Sequence, residues 1–326
     1  MSRIAYVNGR YLPHHRAAVH VEDRGYQFAD GVYEVCEILN GRLIDERRHL
    51  ARLRRSLGEL RIRPPMTAVA LGVVIREVVR LNRVADGIVY LQVTRGVARR
   101  DHAFPTGDVA PSLVVTARAI ARGPLDRRAG EGIAVVTVPD NRWERVDIKT
   151  VSLLPNVLAK QKAREAGALE AWFVDREGFV TEGASTNAWI VTAEGTLVTR
   201  SADRGILRGI TRGVLMDLIR RRRLKVEERA FSVKEALAAR EAFITSATAI
   251  VTPVVSIDGR PVGGGRPGPI AARLRGAFHR YAERAPVLSR PAARQRPDVG
   301  QKIAGDGRGN SRQTGRGSIP TQEREP

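Results

Sequence analysis

The chain has 326 residues, of which 43% are hydrophobic, 28% are charged and 5% are aromatic. That length allows two domains, and the single cysteine, Cys36, excludes a disulfide within the chain and a cysteine-based metal site, so no metal is predicted. The formal charge of +20 is compatible with nucleic-acid binding. The arginines are spread along the chain without interleaved aromatics, however, which favours a merely basic surface.

The hydropathy pattern contains no apolar stretch long enough to span a bilayer. The first residues also lack the apolar segment of a signal peptide. These features predict a cytoplasmic protein with no membrane partner.

The first part of the chain, residues 1–117, is predicted to form an N-terminal α/β domain. Asn8-Gly9 and Asn40-Gly41 are each typical of a tight hairpin turn, because these residues tolerate positive φ angles. Leucines three and four residues apart predict an amphipathic helix, and Thr67 suits the N-cap of the next helix. The predicted strands span 4–7, 10–12, 32–39, 88–94 and 112–116, and the predicted helices span 46–62 and 67–81.

Residues 118–130 are predicted to be an interdomain linker, and residues 131–285 a C-terminal cofactor-binding domain. Strands and helices interleave in both halves, which favours α/β (α+β) packing in each. Residues 286–326 have few apolar side chains and are predicted to form a disordered basic tail. In the C-terminal half, the predicted strands span 133–138, 171–174, 179–182, 188–191, 196–199, 224–228, 243–245 and 251–257, and the predicted helices span 154–166, 210–222, 233–239 and 268–283.

Lys149 is the centre of the functional interpretation. It is the only lysine before Lys160 in a chain whose other basic residues are nearly all arginine. A desolvated primary amine can lose its proton and form an imine, whereas a guanidinium does neither. Taken alone, this position is more simply interpreted as a surface lysine, and only its combination with other stretches favours catalysis.

Four other stretches combine with Lys149. Glu182, at a strand end between threonine and glycine, suits a carboxylate that pairs with a cofactor cation, although a turn acid is equally consistent. Residues 205–212 form a glycine-rich segment that leads directly into a predicted helix, and this arrangement favours an anion site. Arg100 and His102 offer donors for a carboxylate, and the hydroxyls of 245–248 suit phosphate oxygens. Solvated loop charges and an ordinary glycine turn are the simpler alternatives for these stretches.

A reactive lysine, an anion site, a partner carboxylate and a carboxylate-binding pair together indicate pyridoxal 5′-phosphate. This cofactor needs an imine-forming amine, a phosphate site and a partner for its ring nitrogen. No competing motif uses all four features. The chain lacks a nucleotide P-loop, a dinucleotide-binding glycine motif and a nucleophile-elbow serine.

Several ordered motifs resemble the D-amino-acid aminotransferases, within the branched-chain-aminotransferase-like (fold type IV) class of pyridoxal-phosphate enzymes. The resemblance covers residues 4–281. It implies a two-domain fold-type-IV aminotransferase, usually a homodimer, that transfers the amino group of a D-amino acid to a 2-oxo acid by a ping-pong reaction. The motifs that carry the resemblance span 22–35, 93–96, 147–150, 158–161, 180–183 and 207–212.

The resemblance also assigns individual residues. Lys149 resembles the catalytic Schiff-base lysine, which also moves the substrate α-proton. Glu182 resembles the acid that keeps the cofactor's ring nitrogen protonated, and Leu207 resembles the apolar residue on the ring face. The residues that resemble the family's phosphate ligands or lie at the corresponding positions are Arg52, Ile210, Thr211, Ala247 and Thr248. The residues that resemble the trap for the substrate α-carboxylate are Tyr33, Arg100 and His102.

Two positions and three alternatives qualify this assignment. Ala247 stands where the family often has a phosphate-binding threonine, so its backbone N–H or the Thr248 hydroxyl is expected to replace that contact. Strand alternation predicts that Glu37 faces the pocket and disfavours dicarboxylic donors. An L-branched-chain aminotransferase and an aminodeoxychorismate lyase share this fold and remain alternatives. A nucleic-acid-binding protein is the alternative of a different class.

Overall fold

The computed structural model describes residues 3–286. Within that range, strands and helices alternate along the chain, as the hydropathy pattern predicts. The strands are β1 Ile4–Val7, β2 Arg10–Pro13, β3 Gly31–Leu39, β4 Arg42–Leu43, β5 Gly87–Thr94, β6 Ser112–Ala119, β7 Ile133–Pro139, β8 Glu170–Val174, β9 Val180–Gly183, β10 Asn187–Val191, β11 Leu197–Thr199, β12 Val226–Glu228, β13 Glu241–Ser246, β14 Ile250–Ile257 and β15 Arg260–Pro261. The helices are α1 Arg24–Phe28, α2 Glu46–Glu59, α3 Ala68–Leu81, α4 Arg122–Glu131, α5 Leu154–Glu165, α6 Ile210–Arg221, α7 Val233–Ala238 and α8 Pro269–Tyr281.

The N-terminal half forms a six-stranded sheet in the order β2-β1-β6-β5-β3-β4, with each neighbouring pair antiparallel. Helices α2 and α3 cover one face of this sheet, because their apolar stripes bury Leu53, Leu57 and Ile75 against it. On β3, alternate residues are fully and partly buried. The half-buried side of β3, which includes Tyr33 and Val35, is left free to line a cavity.

The C-terminal half forms a nine-stranded sheet in the order β12-β11-β10-β13-β14-β7-β8-β9, with β15 beside β14. Strand β10 is buried along its whole length and β8 along all but its last residue, as expected for strands whose two faces are both covered. Helices α6 and α8 pack with Trp189 and Phe243, whose rings stack 5.5 Å apart. The α7 segment packs with Trp172 and Phe231 in a separate cluster.

The predicted strands and the predicted helices are all confirmed, with boundaries shifted by at most three residues. Thr67 caps α3, because its hydroxyl accepts from the N–H of Ala70 at 3.2 Å. Two helices are unpredicted, α1 and α4, and α4 occupies most of the predicted linker. Helix α1 is only one turn long and α4 buries no residue, so neither has the apolar period that reveals a helix in a sequence.

The predicted basic tail 286–326 lies outside the described residues, apart from Pro286. The division into domains at 117 and 131 stays a prediction. Within residues 3–286, no helix combines the length and the apolar character needed to cross a membrane.

Candidate active site

A cavity of about 490 Å³ lies where β3 and α2 of the first sheet face the strand ends of the second. That volume is typical of a small-molecule site. Every residue predicted from the sequence to bind the cofactor or substrate lines this cavity, except Arg100 and His102. The lining predicted residues are Tyr33, Arg52, Lys149, Glu182, Leu207, Ile210, Thr211, Ala247 and Thr248.

Lys149 is fixed through its backbone, which crosses from one sheet to the other. Its carbonyl accepts from the N–H of Tyr33 at 3.0 Å, and the N–H of Val151 donates to Gly31 at 3.1 Å, so this segment pairs with the start of β3. Its own N–H lies 3.3 Å from the Ser56 hydroxyl of α2. The amine Nζ lies 4.1 Å from the centre of the Tyr33 ring. These backbone contacts therefore fix the point from which the half-buried Lys149 side chain enters the cavity.

Glu182 is buried at the end of β9, with an exposure of 5%. Its carboxylate accepts from Arg142 at 2.5 Å, from the Asn187 amide at 3.0 Å and from the N–H of Leu207 at 3.1 Å. Burial raises the pKa of Glu182, while the charges of Arg142 and Lys149 oppose that rise. The site thus contains a deeply buried acid whose ionised form depends on its neighbours.

Arg142 was not singled out from the sequence, although it lines the cavity. Its guanidinium forms ion pairs with both Glu182 and Asp140, and the closest contact with Asp140 is 2.8 Å. The same guanidinium lies 4.4 Å from the centre of the Phe173 ring. Asp140 also accepts from Thr181 at 2.7 Å. The local signal was an acid two residues before an arginine at a strand end, which is too common to identify a site.

Glu34 and His49 form a second buried network that sequence reasoning missed. Glu34, which is wholly buried, accepts from Arg52 Nε at 2.7 Å and Nη2 at 2.8 Å, and contacts His49 Nδ1 at 2.7 Å. Burial alone raises the pKa of Glu34, but Arg52 and His49 reverse that effect and hold it well below the usual range. A carboxylate on the buried side of β3 was the available signal, because such a group needs a partner.

Helix α6 brings its N-terminus to the cavity, next to Arg52. Arg52 Nη1 donates to the carbonyl of Arg208 at 3.1 Å, two residues before the helix begins. The N–H groups of Ile210 and Thr211 belong to the first turn, where helices leave donors unpaired within the helix. A guanidinium and free N–H groups at one helix end form an anion-binding site.

Hydroxyl groups from two further segments of the chain line the same cavity. Ser246 and Thr248 place their hydroxyls 3.2 Å apart, with Ala247 between them. The Thr186 hydroxyl is buried and has no hydrogen-bond partner among the described residues. A buried, unpartnered hydroxyl beside a cavity suits a ligand that supplies the missing partner.

Arg100 and His102 lie outside the cavity of their own chain. Both are exposed on the loop between β5 and β6, where they contact the ring of Phe28. Tyr33, the third residue of the predicted carboxylate trap, does line the cavity and stacks on Tyr90 with ring centres 5.6 Å apart. One chain therefore does not bring the three trap residues together.

Glu37 lies on the predicted, pocket-facing side of β3, and its effect on dicarboxylic donors stays a prediction. It shares this face of β3 with Tyr33 and Val35, but it is not among the residues that line the cavity. Its carboxylate contacts the His279 ring at 2.9 Å, on α8. Strand alternation specifies a face but not what covers each position along it.

Comparison with known proteins accounts for this combination of residues. A family model described as class IV amino-transferase matches residues 31–257. The chain is 43% identical over 271 residues to the D-alanine aminotransferase of Bacillus licheniformis, covering 83% of this chain and 94% of that protein. The chain belongs to the class IV aminotransferase family. This aminotransferase is also 39% identical to the D-alanine aminotransferase of Staphylococcus haemolyticus, covering 85% of this chain and 97% of that protein.

Solved structures agree on the fold of this aminotransferase. The branched-chain aminotransferase of the thermophilic archaeon Thermoproteus uzoniensis, solved with norvaline, superposes with a TM-score of 0.75 at 25% identity, covering 87% of this chain and 99% of that one. A branched-chain amino acid aminotransferase solved with pyridoxamine 5′-phosphate superposes with a TM-score of 0.79 at 26% identity. The resemblance inferred from the sequence is confirmed, both for the transaminase class and for fold type IV. The roles of individual site residues stay predictions.

Proposed function

We propose that this aminotransferase uses pyridoxal 5′-phosphate to transfer the amino group of a D-amino acid to a 2-oxo acid. The observation that carries the proposal is the convergence of Lys149, Glu182 and Arg52 on one cavity, in a chain 43% identical to a D-alanine aminotransferase. D-Alanine is the proposed donor, because it is the amino acid in that relative's name.

The residues present fit this cofactor. Arg52 and the free N–H groups of Ile210 and Thr211 suit its phosphate, and the unpartnered Thr186 hydroxyl and the hydroxyls beside Ala247 offer further polar contacts. When bound, the cofactor supplies an aldehyde that condenses with amines and a ring that accepts electrons from the substrate α-carbon.

Lys149 is the group that moves the proton. Its amine is half-buried and lies beside Tyr33 rather than in an ion pair. With the cofactor bound, the Lys149 Nζ would accept the substrate α-proton as a general base and would then return it as a general acid.

Glu182 and Arg142 form a buried ion pair that lines the same cavity as Lys149. With the cofactor bound, the Glu182 carboxylate would hold a proton on the ring nitrogen, which would favour electron withdrawal from the substrate. Arg142 and the N–H of Leu207 lower the pKa of that carboxylate and so partly offset the rise that its burial causes. The Arg52–Glu34 pair similarly fixes the guanidinium that faces the phosphate.

The enzyme acts as a homodimer in this proposal, and a second copy supplies Arg100 and His102. Two observations support it: both residues lie outside the cavity of their own chain, and apolar side chains on α5 and beside α1 are exposed. The exposed apolar residues are Val21 and Tyr26 near α1, and Leu154, Val157 and Leu158 on α5. Together with Tyr33, Arg100 and His102 bind the substrate α-carboxylate. A cytoplasmic location stays a prediction.

The donor is tested by half-reactions of the cofactor-loaded enzyme. D-Alanine, L-alanine and L-leucine are added separately without a 2-oxo acid, and the loss of the yellow absorbance is timed. We expect D-alanine to react fastest. A faster reaction with L-leucine contradicts D-specificity in favour of a branched-chain enzyme, and an absence of any 2-oxo acid product contradicts transamination.

The dimer is tested by mixing two variants, Lys149→Ala and Arg100→Ala, after mild dissociation, and by assaying at a D-alanine concentration low enough that Arg100→Ala alone has little activity. If Arg100 acts across the dimer, the mixture recovers about one quarter of wild-type activity, because half of randomly formed dimers are mixed and each has one intact site. A mixture that stays inactive although light scattering shows mixed dimers contradicts the proposal.

A further inference from the structure

The loop that carries Arg100 and His102 has little backbone support of its own. It connects β5 to β6, and Ala98 donates to the carbonyl of Glu22 at 3.3 Å. From residue 99 to residue 111, no backbone–backbone hydrogen bond occurs among the described residues. The position of this loop must therefore be set by side chains.

Arg24 supplies the missing partners. Its side chain is 3% exposed, and Nη1 donates to the carbonyl of Asp101 at 2.6 Å, while Nη2 lies 3.5 Å from the carbonyl of His102. These carbonyls belong to the residue between Arg100 and His102 and to His102 itself. The third arm of the fork, Nε, donates to Asp30 at 2.9 Å.

Asp30 connects Arg24 to a second buried arginine. Arg95 donates to Asp30 through Nε at 2.7 Å and Nη2 at 3.0 Å. It also donates to the carbonyls of Leu60 and Arg61, at 2.8 and 3.2 Å, beyond the end of α2. Arg24 is thus connected, through Asp30 and Arg95, to the segment that follows α2 and not only to the loop.

Phe28, at the end of α1, provides the apolar surface for the same residues. Its ring centre lies 4.8 Å from the Arg24 guanidinium, 5.0 Å from that of Arg100 and 5.4 Å from the His102 ring. Both proposed carboxylate-binding side chains therefore touch one ring, whose helix also contains Arg24.

We propose that Arg24 is a positioning residue for recognition of the substrate carboxylate. It fixes the backbone at 101 and 102 and so sets where Arg100 and His102 project. This inference rests on the proposed function, in which those two residues bind the carboxylate. Only the planar guanidinium fork can bond a carboxylate and two carbonyls in fixed directions, whereas a lysine is a single charged point.

The decisive variant is Arg24→Lys, studied in the cofactor-loaded enzyme. We expect KM for D-alanine to rise about tenfold, because a misplaced binding group weakens substrate contacts, while kcat and the absorbance of the bound cofactor stay within about twofold of wild type. Phe28→Leu is a second variant with the same expected pattern, for use if Arg24→Lys does not fold. If a variant folds and its KM for D-alanine equals that of wild type, the proposal is overturned.

Arg63→Lys is the matched control. Arg63 forms an exposed ion pair with Asp108 of the same loop, at 3.1 Å, and such pairs contribute little. We expect its KM to equal that of wild type. An equal rise in Arg63→Lys and Arg24→Lys overturns the proposal, since any disturbance of the loop would then have the same effect.

A double variant separates this inference from the function on which it rests. If Arg100→Met raises KM and adding Arg24→Lys raises it little further, Arg24 acts through the loop. Additive effects overturn the role of Arg24 alone, because Arg24 then acts elsewhere. If Arg100→Met leaves KM unchanged, the proposed carboxylate trap fails, and the inference fails with it.

Discussion

The two parts of the proposed active site are built in opposite ways. At the cofactor end, Glu182 and Glu34 are buried and each is bound by an arginine within the same chain. At the carboxylate end, Arg100 and His102 are exposed on a loop between two strands. The first arrangement is complete in one chain, whereas the second depends on one buried arginine and, in our proposal, on a second copy.

This difference separates two kinds of function. Groups that stabilise developing charge must be fixed before the reaction, so they lie in buried networks whose partners prevent movement. Groups that capture a diffusing substrate must stay accessible, so they lie on a loop and are positioned indirectly. Changes at the buried end should alter kcat or stability, and changes at the loop should alter KM.

The largest effect should come from Lys149→Ala. We expect kcat to fall by about 10⁴-fold, the upper end of the range for one proton-transferring group, because in our proposal the same residue also bonds to the cofactor. The absorbance band of the imine between protein and cofactor should be lost as well. Steady-state kinetics and absorbance spectra of wild type and variant provide the measurement.

Lys162→Ala is the control for that experiment, since Lys162 is an exposed lysine on α5. It should retain wild-type kcat and absorbance. A Lys149→Ala variant that keeps the imine band of wild type would show that another amine bonds to the cofactor, and the comparison between the two ends of the site would lose its basis.

Arg52→Gln tests whether the buried network at the phosphate end is as tightly coupled as its geometry indicates. Removing one partner of a buried ion pair costs about 3–5 kcal/mol, because Glu34 is left buried without its guanidinium. Urea unfolding of the cofactor-free proteins measures this loss directly. Cofactor affinity should fall in the same variant.

Arg48→Gln supplies the comparison from the same helix. Arg48 pairs with Asp217 at 2.8 Å, but both side chains are largely accessible to solvent, so its loss should cost at most about 1 kcal/mol. Equal losses of unfolding free energy in the two variants would contradict the distinction between a buried and an exposed arginine.

Arg142→Met should produce the smallest of these effects, a shift of the pH profile. Burial raises the pKa of Glu182 and Arg142 lowers it, so removing Arg142 raises that pKa further. In our proposal Glu182 functions as a carboxylate, and its charge is lost as the pH falls through its pKa. The acid limb of kcat/KM for D-alanine should therefore move to higher pH, by about one unit.

Arg200→Met is the corresponding control, because Arg200 pairs with Asp175 and neither residue lines the cavity. Its acid limb should stay at the wild-type pH. If the limb of Arg142→Met moves to lower pH or does not move, Arg142 does not set the ionisation of Glu182.

Local patterns account for what could be predicted in the fold and the site. The Asn-Gly turns, the leucine spacing of α2 and the Thr67 cap are each determined within a few residues, and each is confirmed. Glu34 and Arg142 were missed for the converse reason, since their partners lie on other elements of the chain. Helix α4 was missed because it buries no side chain and therefore has no apolar period.

The sequence by itself determined the enzyme family, since a lysine that precedes all others in an arginine-rich chain and a series of ordered motifs depend only on residue types and their order. Only the tertiary structure decided that Arg142 binds Glu182, that Glu37 meets α8, and that Arg24 holds the loop of Arg100 and His102. The physical reason is that these contacts join residues 40 to 242 positions apart. Local periodicity carries no information about which distant elements meet.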